Sequence, residues 1–193
     1  MYFHYDAHST PVKPEEIRNL IPLHIQTQDE LNVWEQNNIS EAETKFFKSS
    51  KGVDLTLEFI KKVHKSMFNH TWKWAGKFRT THTNLGIEWI KIPQETKLLC
   101  EDFTYQIVHH SYSLEEIAIR FSHRFVCIHP FFNGNGRCSR LLTDLISVKN
   151  GLERFTWGRK SLTAESETRE KYIQALKEAD HLNIQPLIDF AKS

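Results

Sequence analysis

The sequence predicts an all-α fold with one short β-hairpin, and three observations carry that prediction. Apolar residues recur at three- and four-residue spacing through most of the 193 residues. Helix-capping patterns precede several of those stretches, and β-branched and aromatic residues concentrate in one segment, 78–92.

Residues 1–26, with Pro11, Pro14 and Pro22, read as an irregular N-terminal arm, and 27–193 as one domain. Thr27 and Glu30 make a capping-box pattern that opens a helix over 28–50. Further helices are expected at about 55–69, 95–110, 114–128, 136–149, 164–181 and 184–192. Ser113 with Glu116 supplies a second capping box, and Asn150-Gly151 a stop for the 136–149 helix. The exception is FRTTHTNLGIEWIKI, 78–92, where Asn84-Leu85-Gly86 interrupts a β-rich run and predicts a hairpin turn.

Composition narrows the function classes. A hydrophobic content of 39% in 193 residues is enough for one sizeable core. The net charge of +1 and the lack of a Lys/Arg tract argue against an electrostatic nucleic-acid footprint. No apolar run approaches the length of a membrane span, and no signal-like core opens the chain. Cys100, Cys127 and Cys138 are an odd number without metal-ligand spacing, which suits a reducing compartment, so a cytoplasmic location is expected. HExxH, EF-hand and Cys/His quartet patterns are absent, leaving zinc or calcium chemistry little support.

One stretch reads as a site: HPFFNGNGRCSR, His129 to Arg140. Gly134 and Gly136 flank Asn135, so the backbone can take positive φ and bring its N–H groups close to an anion. The following helix adds its unpaired N–H groups and dipole. Arg137 and Arg140, three apart, can both reach a polyphosphate, and two cations at a helix N-terminus oppose the dipole unless an anion is near. His129 precedes the loop, where a neutral imidazole can accept a proton. His64, His109, His110 and His123 read as structural histidines. The tryptophans read as core, with Trp157 the one nearest a nucleotide base.

This stretch resembles the signature of the Fic family, HxFx[DE]GNGRxxR, through His129, Phe131, Gly134, Asn135, Gly136, Arg137 and Arg140. The flanks LNVWEQNNI (31–39), WKWAGKFRTT (72–81) and RFTWGR (154–159) are similar to the mobile mystery protein B group of bacterial relatives. The resemblance implies a Fic fold, a helical bundle whose hairpin flap at 79–92 guides a target segment. It implies transfer of AMP from ATP to a Ser, Thr or Tyr hydroxyl of a target protein. His129 would be the base, residues 134–137 and Arg140 the nucleotide cradle, and Phe131 a structural support. Relatives with this motif also transfer UMP, phosphate or phosphocholine. Position 133 would bind Mg²⁺ or Mn²⁺ between the phosphates. Here it is Asn133, a neutral ligand, which leaves weakened or non-catalytic nucleotide binding as the alternative.

Glu35 lies on the apolar stripe Leu31, Ile39, Ala42, Phe46 and therefore points inward, where a carboxylate needs a partner. Many Fic proteins carry an inhibitory glutamate in a [ST]xxxE[GN] motif that pairs with the second motif arginine. Leu31 to Gln36 matches that motif only at Glu35. Two readings stand: a Glu35–Arg140 clamp, or a carboxylate satisfied locally.

Overall fold

A computed structural model describes residues 17–25, 27–49, 52–159 and 165–193. The expected arm 1–26 therefore falls mostly outside the described residues. Seven α-helices follow in order: α1 (Gln28–Lys48), α2 (Leu57–Phe68), α3 (Ile92–Val108), α4 (Leu114–Ile128), α5 (Asn135–Lys149), α6 (Glu165–Asp180) and α7 (Gln185–Lys192), with a 3-10 turn, Trp89–Lys91, leading into α3. Helix α1 starts where the capping box puts it, with Thr27 Oγ1 accepting from the Glu30 N–H and the Glu30 carboxylate from the Thr27 N–H. At α4 only half of the expected box forms. Ser113 accepts from the Glu116 N–H, while the Glu116 carboxylate pairs with Arg120 one turn on.

Helices α4 and α5 pack against each other at the centre, α1 pairs with α2, α3 with α4, and α6 with α7. Small polar residues let α4 and α5 approach closely. The Ser122 and Ser139 hydroxyls lie 2.9 Å apart, and Ser139 Oγ donates to the Ser122 carbonyl. Around this pair Ile60, Val63, Met67, Phe68, Phe125, Phe131, Leu142 and Ile146 are wholly buried, and this core fixes α5 in place. The irregular stretch before α1 is held to it by an isolated antiparallel bridge, Leu20 with Trp72.

The hairpin expected at 78–92 does not form: no strand ladder joins the two halves of this segment. A buried arginine takes the ladder's place. Arg79, 1% exposed, donates from Nε to the His129 carbonyl at 2.7 Å, from Nη1 to the Thr81 carbonyl at 2.9 Å, and from Nη2 to the Ile87 carbonyl. The two ends of the loop also donate backbone hydrogen bonds to the 128–130 segment, Arg79 N to Pro130 O and Ile87 N to Ile128 O. The segment is thus an irregular loop closed around one guanidinium.

Candidate active site

Two helix ends build the site. Helix α4 terminates at His129, whose φ of 52° places a non-glycine residue in the left-handed region, a conformation that costs about 1 kcal/mol or more. Capture of the His129 carbonyl by Arg79 Nε holds it there. The imidazole is 8% exposed, with Nδ1 enclosed and unpaired. Burial, helped by the nearby Arg79 charge, pushes its pKa down to about 4. At neutral pH His129 is therefore uncharged and able to take a proton.

Helix α5 begins at Asn135. Gly134 supplies the left-handed N-cap at φ 76°, and a Cβ there would stand 2.4 Å from the Phe68 ring, so only glycine fits. Gly136 differs from the sequence expectation. It lies within the first helical turn, without positive φ, and the nearest group to a Cβ there would be Arg140 Nη1 at 3.7 Å. Its lack of a side chain keeps the helix end open beside that guanidinium. The first helical hydrogen bond runs from the Cys138 N–H to the Gly134 carbonyl, so the N–H groups of Asn135, Gly136 and Arg137 precede it and have no partner within the helix, an arrangement suited to cradling an anion.

The loop between the two helix ends is locked from beneath. The Asn135 amide accepts from the Phe131 N–H at 2.9 Å and donates to the Phe131 carbonyl at 2.8 Å, turning this side chain into the core. Phe131 is wholly buried and stacks on His64, ring centroids 3.6 Å apart. His64 Nδ1 accepts from the Gly76 N–H at 2.9 Å, which leaves Nε2 as the donor to the Asn133 carbonyl at 3.1 Å. Burial holds its pKa down at about 3, so this bridge is neutral. The histidine is structural, as its sequence setting suggests. Its direct hold on the motif loop was not legible there, because Gly76 and Asn133 come from separate loops.

Arg137 and Arg140 diverge. Arg137 Nη1 lies 2.6 Å from Glu35 Oε2, with its guanidinium over the Phe68 ring. The other carboxylate oxygen, Glu35 Oε1, accepts from Trp72 Nε1 at 2.6 Å. Glu35 does point inward, at 7% exposure, but it follows neither of the two readings: its ion-pair partner is the first motif arginine, 102 positions away, and not Arg140 or a local group. Arg140 bends back over Gly136 and stands against the Tyr172 ring of α6. The physical reason is rotational. Three residues on a helix do not close a full turn, so the two side chains separate, one toward α1 and α2 and the other toward α6.

Asn133 lies at the lip of the loop, half-buried, with Oδ1 accepting from the Gly134 N–H at 2.6 Å. Among the described residues no cluster of carboxylate, thiol or imidazole ligands lies at the cradle, and Glu35 is engaged by Arg137 and Trp72. This donor set does not fit a divalent ion held by the protein. Trp157 belongs to the core, as expected of the tryptophans, but stands away from the cradle. It is buried, and Nε1 donates to Asp144 Oδ1 at 2.8 Å, more than two turns along α5 from the cradle. Asp144 also pairs with Arg154, which reaches Glu43 on α1. The RFTWGR stretch thus anchors the segment after α5 to the bundle.

Comparisons with known proteins agree with this geometry. Residues 54–147 match the Fic/DOC family model. The chain is 28% identical over 142 residues to a protein adenylyltransferase Fic of Drosophila virilis, covering 72% of this chain and 28% of that one. It is 25% identical over 144 residues to one from Nematostella vectensis. It therefore spans about a third or less of the length of these relatives. Among solved structures, the BepC protein of Bartonella tribocorum with bound AMPPNP superposes with TM-score 0.70 at 18% identity, over 93% of this chain and 97% of that one. The N-terminal Fic domain of a Bartonella quintana cell filamentation protein gives TM-score 0.70 at 20% identity, over 99% and 90%. These likenesses establish the fold. With the motif at the junction of α4 and α5 and the family match across the central helices, residues 54–147 carry a domain of the Fic/DOC family.

Proposed function

We propose that this protein transfers AMP from ATP to a hydroxyl group of a target protein. The observation that carries the reading is the meeting of a neutral, buried imidazole with an arginine-flanked helix N-terminus across a five-residue loop. Relatives bearing the name protein adenylyltransferase support it. The cradle N–H groups of Asn135, Gly136 and Arg137 would receive the phosphates, with Arg140 beside them. A target Ser, Thr or Tyr hydroxyl would attack the α-phosphorus while its proton passes to His129. The new P–O bond forms as the bond to the β-phosphate oxygen breaks, and pyrophosphate leaves with that electron pair. Magnesium or manganese would be carried chiefly by the phosphates themselves, with Asn133 able to offer only a neutral oxygen.

Two features lower the expected basal rate. Glu35 occupies Arg137, and this contact is read as an internal brake. Asn133 turns its oxygen to the Gly134 N–H, which favours the second reading, a weakly active or non-catalytic nucleotide-binding module. Nucleotide and an unidentified target protein are the partners. No described helix is long and apolar enough to cross a membrane. Nucleic-acid binding finds no support in the charge balance, and a cytoplasmic site of action is part of the proposal.

The experiment is incubation of the purified chain with cell extract and α-labelled ATP, UTP and CTP. Label transferred from ATP, lost in His129→Ala while nucleotide binding persists, supports the mechanism; removal of a positioned base typically lowers rates about 10² to 10⁴-fold. Nucleotide binding without transfer, in wild type and in Glu35→Ala alike, selects the second reading.

A further inference from the structure

Away from the cradle, α4 carries His123 and Cys127 one turn apart, and α6 ends on Asp180 opposite them. His123 Nε2 lies 2.8 Å from Asp180 Oδ1, and Cys127 Sγ lies 3.5 Å from each of those two atoms. Among the described residues this is the one group of three such ligand atoms that converge. Sequence spacing conceals it, because Asp180 stands 53 positions beyond Cys127 on another helix.

A nucleophilic relay does not fit this trio. Thiol and carboxylate both meet the same imidazole nitrogen, whereas a relay needs the carboxylate on one nitrogen and the nucleophile on the other. Coordination does fit. Around a tetrahedral zinc ion, with metal–N and metal–O lengths of about 2.0–2.1 Å and metal–S of about 2.3 Å, neighbouring ligand atoms stand roughly 3.3–3.6 Å apart. Both edges to sulfur already have that length. The His123–Asp180 edge would open by about half an ångström as an ion replaces their hydrogen bond.

We propose that His123, Cys127 and Asp180 form a three-ligand site for a zinc-type divalent ion, with the fourth position left to water. A sulfur, a nitrogen and a carboxylate oxygen together suit a borderline ion and not magnesium or calcium. On binding, the Cys127 S–H bond gives way to an S–metal bond and the proton passes to solvent. Cys127 is exposed and the Asp180 side chain is 54% exposed, so an ion can enter from the surface. The flanking cavity, about 300 Å³ and lined in part by Asp102, Arg124 and Ile184, leaves room for the water. The bound ion would tie α6 to the last turn of α4, two residues before His129.

The test uses the purified full chain, stripped of metal and titrated with Co(II) and then Zn(II). One equivalent of Co(II) is expected to give a thiolate-to-cobalt charge-transfer band in the near ultraviolet. Zn(II) should displace it and raise the melting temperature. Cys127→Ser should abolish the band, and Asp180→Asn should weaken Co(II) binding about tenfold or more. Cys100 and Cys138 remain in the Cys127→Ser chain, so a band surviving there overturns the assignment, as does the lack of any band in the wild type. Circular dichroism checks folding. Should Cys127→Ser fail to fold, unchanged Co(II) affinity in both Asp180→Asn and His123→Gln would also overturn it, and a tenfold loss in each would support it.

Discussion

The Glu35 carboxylate bridges two partners at 2.6 Å each, Arg137 Nη1 through one oxygen and Trp72 Nε1 through the other. It links the first long helix to the start of α5 across 102 positions of sequence. Removing it releases an arginine beside the cradle and strands a buried indole N–H.

Glu35→Ala is expected to tighten ATP binding and to raise self-modification, because Arg137 then faces the phosphates unpaired. The nucleotide-free fold should lose about 2–4 kcal/mol, somewhat under the about 3–5 kcal/mol of a fully buried pair because the Arg137 side chain is 32% exposed. Saturating ATP should recover part of that loss by returning an anion to the arginine. Calorimetry and thermal melts with and without ATP measure both. An affinity equal to wild type would mean that the pair does not obstruct the cradle.

Asn133→Asp adds a negative charge next to the free N–H groups of α5. Stability alone should rise by about 0.3–1 kcal/mol through the helix dipole. If position 133 also faces the metal carried by ATP, magnesium-dependent nucleotide binding should tighten as well. Titrations with and without magnesium separate the two effects, and a stability gain with unchanged magnesium dependence would confine the residue to capping.

His64→Phe keeps the stacking on Phe131 but deletes two hydrogen bonds, leaving the Gly76 N–H and the Asn133 carbonyl without their partner. A cost of about 2–4 kcal/mol is expected, since each buried group left unpaired loses about 1–3 kcal/mol. Nucleotide affinity should also fall, although His64 touches no ligand, because the loop before α5 loses its support. Equal affinity with lowered stability would show that the loop holds itself.

Two buried histidines predict acid sensitivity. His64 and His129 hold pKa values of about 3 and about 4 in the folded chain against 6.5 as the ordinary value. Unfolding therefore takes up protons between those limits. The stabilisation is fully present above pH 6.5 and is lost as pH falls toward 4 and then 3, at about 1.4 kcal/mol for each histidine and each pH unit. Melting temperature should fall steeply from pH 7 to pH 4, and less steeply in His64→Phe. A flat profile would mean that neither ring is as enclosed as its surroundings indicate.

Helix α4 was legible to the residue because its apolar spacing is regular and Ser113 marks its start. The inward face of Glu35 was legible too, from Leu31 and Ile39 on either side. Its choice of arginine was not, since that depends on how α1 crosses α5. The 78–92 segment misled because Thr80, Thr81, Thr83 and Ile87 carry strand propensity, while what organises it is a charged residue almost fully enclosed. Composition places arginine on surfaces, and only the three carbonyls converging on Arg79 explain the exception. Trp157 misled similarly: its distance from the motif in sequence is small, but α5 carries Asp144, its partner, away from the cradle.

The loop at 79–88 and the histidine it covers share a fastener. Arg79 grips the His129 carbonyl, and at Gly86 a side chain would collide with the His129 Cβ at 2.4 Å. If the protein acts on target proteins as proposed, the evolution of new targets on this scaffold is channelled. Under the proposed function, substitutions at the exposed positions Thr80, Leu85 and Glu88 would change which polypeptide is welcomed, while changes at Arg79 or Gly86 would disturb His129 at the same stroke. A selection for altered target preference should accumulate its mutations at the first set and leave the second untouched.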